Sequence, residues 1–118
     1  MILGIGVDIV DVARFSSSLE RTPKLMDRVF AQKEQQLKLE SLAGRFAAKE
    51  ALIKAIGKSD GLTLNEICVE NDEVGRPWFD LIGKTKETLQ TRGVNNLHLS
   101  ISHDGGIAVA YVVLEGEK

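Results

Sequence analysis

Residues 41–56 read SLAGRFAAKEALIKAI, with five alanines, no proline and Gly57 just beyond. Alanine gives up no side-chain entropy in a helix and Gly57 supplies a stop, so the pattern predicts a helix over residues 41–56, with Ser41 as a candidate cap. In a chain of 118 residues so long an element dictates that the domain is built around it. Drawn as a wheel at about 100° per residue, Leu42, Phe46, Ile53 and Ile56 fall along one line, the expected core stripe. Lys49 lies in the middle of that stripe, where a lysine must snorkel, pair or face a site or another subunit. Glu50 and Lys54 sit together on the flank beside Ala43 and Ala47, whose small side chains let something approach the backbone closely. An isolated Glu-Lys pair at i, i+4 is ordinarily a surface contact worth about 0.2–0.5 kcal/mol. Lys49, and Arg45 a turn earlier, shift the reading towards a site.

The flanking segments give an α+β chain, an antiparallel sheet packed with the long helix. Residues 2–10 read as a β-branched strand, after which Asp11 can cap a helix through Val12 and Phe15 to Leu19. Thr22-Pro23 starts another, with Leu25, Met26, Val29 and Phe30 as its apolar stripe. Residues 32–39 look like a short polar helix or an extension of that one. Strand-like pieces at 63–70 and 77–82 flank the polar turn Asn71-Asp72-Glu73-Val74-Gly75, and 84–91 is a helix. Leu97, Leu99 and Ile101 alternate with His98, Ser100 and Ser102, a half-buried strand. With His103-Asp104-Gly105-Gly106 as a turn and 107–114 as a buried strand, residues 97–114 form a hairpin.

Composition removes several classes. The single cysteine, Cys68, excludes an intramolecular disulfide framework and a multi-cysteine zinc site, and a reducing, cytoplasmic setting is the default. The longest apolar run, residues 107–114, is far below the roughly 20 needed to span a membrane. Aromatics are 5% of the chain with no aromatic-basic stacking platform, which disfavours nucleic acid as the main partner. Residues 1–118 are expected to be one domain, with no repeat or linker to divide them. Net charge is −2, but residues 14–58 hold ten Lys/Arg against five Asp/Glu, and the remainder five against twelve. Such asymmetry marks either a face for an anionic partner or solvated helices with counter-charges across the fold.

Three tempting patterns fail. Gly4-Ile5-Gly6 begins like a dinucleotide fingerprint, but Ile9 stands at the third glycine and Asp8 intrudes. Ser102-His103-Asp104 resembles a triad written consecutively, yet neighbouring strand residues point to opposite faces. His98 and His103 have only one cysteine for company, so zinc has no obvious ligand set. Asp8 keeps two readings, a helix cap or a hard-cation ligand or base at a strand end. His103, beside Ser100 and Ser102, is a phosphate grip or a polar hairpin end.

Taken in order, Gly4-Ile5-Gly6-Val7-Asp8-Ile9, Ala43-Gly44-Arg45-Phe46-Ala47-Ala48-Lys49-Glu50-Ala51, Lys54-Ala55, Gly75-Arg76-Pro77 and Ser100-Ile101-Ser102-His103 resemble holo-acyl-carrier-protein synthase, the small bacterial class of 4′-phosphopantetheinyl transferase. The resemblance covers nearly the whole chain and implies a homotrimer with sites at subunit interfaces. It implies transfer of 4′-phosphopantetheine from coenzyme A to a serine of an apo acyl carrier protein or carrier domain. Adenosine 3′,5′-bisphosphate leaves, and the reaction serves fatty-acid biosynthesis. Mg²⁺ is the implied cofactor, with Asp8 and Glu50 as ligands, a carboxylate count that suits this ion. Lys54 would point at the diphosphate, completing a catalytic set of Asp8, Glu50 and Lys54.

Arg45, Phe46, Lys49, Ser102 and His103 match positions lining the coenzyme A site, Lys49 being either a phosphate contact or a structural pair. Gly75, Arg76 and Pro77 would come from a neighbouring subunit. A water held by metal and Glu50 is the first candidate base, and direct abstraction by a side chain the second. Arg14, Arg21, Lys24 and Arg28 occupy the early helices, where the family docks its acidic carrier. The chain departs from the family at Gly57-Lys58-Ser59-Asp60-Gly61, where Gly-Thr-Gly is common, and at Asp104, where a hydroxyl residue is usual. The competing reading is a module that binds coenzyme A or a nucleotide diphosphate without chemistry; the pairing of Asp8 with Glu50 favours the enzyme.

Overall fold

The computed structural model describes residues 1–117. It comprises β1 (Ile2–Asp11), α1 (Val12–Arg21), α2 (Leu25–Val29), a 3-10 turn (Gln32–Glu34), α3 (Leu39–Ile56), a second 3-10 turn (Leu64–Glu66), β2 (Ile67–Asn71), β3 (Pro77–Leu81), α4 (Gly83–Thr91), β4 (Val94–Asp104) and β5 (Ile107–Gly116). An antiparallel sheet in the order β1-β5-β4 packs one face on α3, and β2-β3 forms a separate two-stranded hairpin. The α+β expectation holds.

Local chemistry explains most boundaries. Asp11 caps α1, accepting from the Arg14 amide at 2.9 Å. Gly105 and Gly106, both at positive φ, make the two-residue turn between Asp104 and Ile107. The turn is therefore tighter than expected, and His103 and Asp104 are strand residues. α3 begins at Leu39, with Lys38 in the cap position and no side-chain cap, so Ser41 lies inside the helix.

The core stripe of α3 also needs correction. Phe46, Ile53 and Ile56 are only half-buried, whereas Ala43, Ala47, Ala48, Ala51 and Leu52 are inaccessible. The alanine face meets the sheet, where Ala108, Ala110, Val112 and Leu114 of β5 point inward. On β1, the inward positions Gly4 and Gly6 carry no side chain. A methyl at Gly6 would overlap the Ala51 carbonyl oxygen and lie 2.8 Å from the Ala55 amide nitrogen. What approaches the small residues of α3 is thus the backbone of β1.

The other face of the sheet is uncovered. Ile5, Val7, Ile9 and Tyr111 are 44–68% exposed, and register places Val7 beside Tyr111 and Ile9 beside Val109. Among the described residues no helix is long and apolar enough to cross a membrane.

Candidate active site

Asp8 is on the inward face of β1, two residues beyond Gly6, and Glu50 immediately precedes Ala51 on α3. The close contact between those two backbones therefore brings the carboxylates to one cleft of about 350 Å³, which Arg14, Phe15 and Phe46 also line. Lys54 reaches the cleft through Asp8, donating from Nζ to Asp8 Oδ1 at 2.9 Å and to the Val7 carbonyl at 3.1 Å. Burial pushes the Glu50 carboxyl above its ordinary range, the Asp8 charge adds to that, and Lys54 opposes it. Asp8 thus meets Glu50 and Lys54 although more than forty residues separate it from either in sequence.

A second concavity, of about 250 Å³, lies between α3 and the β2-β3 hairpin. Arg45 crosses it, donating from Nε to the Val69 carbonyl at 3.2 Å and from Nη2 to Asn71 Oδ1 at 2.6 Å. Asn71 in turn donates to the Gly75 carbonyl at 2.9 Å, and Gly75, Pro77 and His103 complete the wall. The His103 ring lies over Gly44, where a Cβ would sit 2.8 Å from Nε2; that nitrogen is 2.9 Å from the Glu40 carbonyl. A side chain at Gly44 would push the His103 ring out of this position.

The remaining candidates divide. Phe46 stacks on Phe15 at a ring separation of 5.2 Å and belongs to the carboxylate cleft, not to the Arg45 pocket. Ser102 pairs with Val109 on the outer face of the sheet, turned away from its neighbour His103. Arg76 is exposed at the hairpin tip, 4.0 Å from Asp72. Arg14 faces the carboxylate cleft, while Arg21, Lys24 and Arg28 are exposed at the end of α1, just before α2 and within α2. Lys58 is exposed on a loop whose carbonyls at Lys58 and Asp60 are both held by Arg92.

Lys49 is not a phosphate contact. Its side chain is 0% exposed, and Nζ donates to Glu34 Oε1 at 2.7 Å, the Val29 carbonyl at 2.7 Å and the Leu64 carbonyl at 3.1 Å. With three acceptors an ammonium has no donor left for a ligand. Burial lowers its pKa against the opposing pull of Glu34. Glu34 and Asn71 went unread in the sequence: each stands in a polar stretch with no periodicity to mark it as inward.

The two concavities share no lining residue. Arg45 and Lys54 are nine residues apart on α3, about half a turn out of phase, and so point to opposite sides of the helix. A profile of the 4′-phosphopantetheinyl transferase superfamily matches residues 4–112, both concavities included. The chain belongs to this superfamily. It is 54% identical, over 99% of its length and 98% of the relative's, to the holo-[acyl-carrier-protein] synthase of Clavibacter michiganensis subsp. michiganensis. Its backbone matches the holo-[acyl-carrier-protein] synthase of Neisseria meningitidis with a TM-score of 0.90 at 31% identity, covering 98% of this chain and 99% of that one. It also matches an ACPS-CoA complex, attributed to Chronobacterium ammoniagenes, with a TM-score of 0.87 at 34% identity and 98% coverage of both chains. Membership of the superfamily makes the chain a transferase, in agreement with the motif set.

Proposed function

We propose that the chain transfers the 4′-phosphopantetheine group of coenzyme A to a serine hydroxyl of an apo acyl carrier protein. The observation that carries this reading is the cleft that Asp8 and Glu50 line, with Lys54 hydrogen-bonded to Asp8. The serine oxygen attacks the phosphorus bearing pantetheine, the bridging P–O bond breaks, and adenosine 3′,5′-bisphosphate departs with the electron pair. Glu50 accepts the serine proton, directly or through a water, and its raised pKa suits a base that must hold it. Lys54 exchanges Asp8 for the diphosphate and offsets the charge growing on the leaving phosphate.

Asp8 and Glu50, two carboxylates lining one cleft, make a donor set that fits a hard divalent cation. Among the described residues no group of three His, Cys, Asp or Glu forms a fuller cage. Asp8 and Glu50 would hold Mg²⁺, which usually takes one or two carboxylates and leaves the rest to phosphate and water. When bound it supplies charge neutralisation at the diphosphate.

Coenzyme A has two ends to satisfy, and the chain offers a wall for each on opposite sides of α3. A homotrimer reconciles them, with the carboxylate cleft of one subunit facing the Arg45 pocket of the next. Gly75 and Pro77 then come from the neighbour, as the family resemblance implied, and they bring Arg45 and His103 with them. The uncovered Ile5, Val7, Ile9 and Tyr111 face supports the assembly, because an apolar surface of that kind gains by being buried. The reading places one domain, residues 1–118, in the cytoplasm.

The deciding experiment is mass spectrometry of an apo carrier protein incubated with the chain, coenzyme A and Mg²⁺. The carrier is expected to gain one phosphopantetheine. No gain on any of several carriers, with the chain shown folded and oligomeric, would instead establish the non-catalytic binding module.

Carrier docking supplies a separate prediction. Arg14 lines the cleft and Arg21, Lys24 and Arg28 are exposed beyond it, a basic approach for an acidic helix. Such complementarity acts on encounter rate and is screened over roughly 10 Å at 0.1 M salt. Raising salt from about 50 to about 300 mM is expected to increase the KM for the carrier about tenfold and that for coenzyme A far less. Equal increases would remove these four residues from docking.

A further inference from the structure

The Lys49–Glu34 pair is buried, fully hydrogen-bonded and away from both concavities, yet its bonds run to the wall of one of them. Glu34 Oε1 accepts from Lys49 Nζ and from the Ala31 amide at 3.0 Å, while Oε2 accepts from the Val69 amide at 3.1 Å. Val69 is on β2, and β3 lies along only one edge of that strand. On the other edge its N–H is taken by Glu34 and its C=O by Arg45 Nε at 3.2 Å. Two side chains thus occupy the place of a missing neighbouring strand. They do so two residues before Asn71, which orients Arg45 on one side and Gly75 on the other.

We infer that Glu34 is a positioning residue for the nucleotide end of coenzyme A: held by Lys49, it pins the Val69 amide and thereby fixes the gap between α3 and the β2-β3 hairpin. This rests on the proposed function: with the diphosphate at the carboxylate cleft, the Arg45 pocket is left for the nucleotide end of coenzyme A. The Glu34 carboxylate accepts its hydrogen bonds from Ala31, Lys49 and Val69, none of which lines the pocket. Its effect passes through the backbone of β2, which cannot move away from α3 while both polar groups of Val69 are bound to side chains. Lys49 Nζ anchors the carboxylate at Oε1, which leaves Oε2 turned to the Val69 amide. A hairpin released from this edge keeps its own ladder to β3 but loses its distance from Arg45.

Two double variants separate positioning from stability. Glu34→Leu with Lys49→Met replaces the buried pair by apolar groups of similar size, an exchange that folds tolerate well, and leaves the Val69 amide without an acceptor. Glu34→Gln with Lys49→Met also removes both charges, but its amide oxygen can still accept from Val69. Calorimetry with adenosine 3′,5′-bisphosphate should show binding about tenfold weaker in the first, the scale of one buried hydrogen bond, and within about twofold of wild type in the second. The KM for coenzyme A should follow the same split, with kcat at saturation within about twofold in both.

Equal affinities in all three proteins, or equal losses in both variants together with kcat, would overturn the inference and leave the pair a structural one. Hydrogen exchange on the wild-type protein tests the same point without substitution. Adenosine 3′,5′-bisphosphate should slow the Val69 amide at least about fivefold, and an unchanged rate overturns the inference whatever the variants do. If the wild-type protein fails to bind adenosine 3′,5′-bisphosphate at all, the pocket assignment falls and this inference with it. Binding with an unaltered Val69 rate removes the inference alone.

Discussion

Glu50→Gln is expected to lower kcat for carrier modification by about a thousandfold, through loss of both a base and a cation ligand, while the protein stays folded. Its pH dependence gives the substitution a signature. Burial and, after it, the Asp8 charge raise the Glu50 pKa above the ordinary glutamate range. The folded state therefore holds the Glu50 proton more tightly than the unfolded chain does. Below the unfolded pKa this has no cost; as pH rises through the folded pKa the full penalty appears and persists to neutrality. Removing the charge should thus leave the thermal midpoint at pH 7 equal to or above that of wild type, with the difference vanishing in acid.

The acid limb of the wild-type kcat profile should lie above the ordinary glutamate range and be missing from the variant. Single-turnover mass spectrometry across pH, beside thermal melts, checks both. Activity above about a tenth of wild type would take Glu50 out of the reaction.

Much of this arrangement was legible because short-range physics specifies it. Gly105 and Gly106 can adopt a turn that the alternation on either side requires, and Asp11 caps α1 by a bond spanning three residues. The convergence of Asp8 with Glu50 and Lys54 was legible only through resemblance. No periodicity links residues so far apart; their meeting depends on which strand lies beneath α3. The wheel misplaced the core stripe for a related reason. It assumed one buried face, whereas α3 is enclosed by the sheet on its alanine side and by the hairpin and early helices elsewhere. Lys49 stayed open between a phosphate contact and a structural pair because its partner, Glu34, is fifteen residues away in a polar stretch. An inward-facing charge identifies a partner's existence, not its identity.

The Asp8–Glu50 geometry has a structural guarantor in Gly6, and Gly6→Ala is expected to destabilise the fold by about 3 kcal/mol, at the upper end of overpacking effects. For a chain of this size that is a fall of roughly 10–15 °C in Tm. The new methyl meets the Ala51 carbonyl oxygen and the Ala55 amide nitrogen, which are backbone atoms of a hydrogen-bonded helix and cannot rotate aside. Relief requires α3 to lift from β1, and Glu50 and Asp8 are carried on those two elements next to the contact. Whatever fraction stays folded should therefore lose kcat by more than its population explains.

Gly57→Ala is the contrast. Gly57 also disfavours a side chain, at φ 86°, but a Cβ there meets nothing within 4 Å. Its cost should be limited to backbone strain of about 1–2 kcal/mol, with kcat retained. Adding Ala51→Gly to Gly6→Ala should restore neither stability nor activity, since the obstruction is a carbonyl oxygen that every residue carries. Rescue by that second change would show that side-chain packing, not the approach of two backbones, sets the distance between the carboxylates.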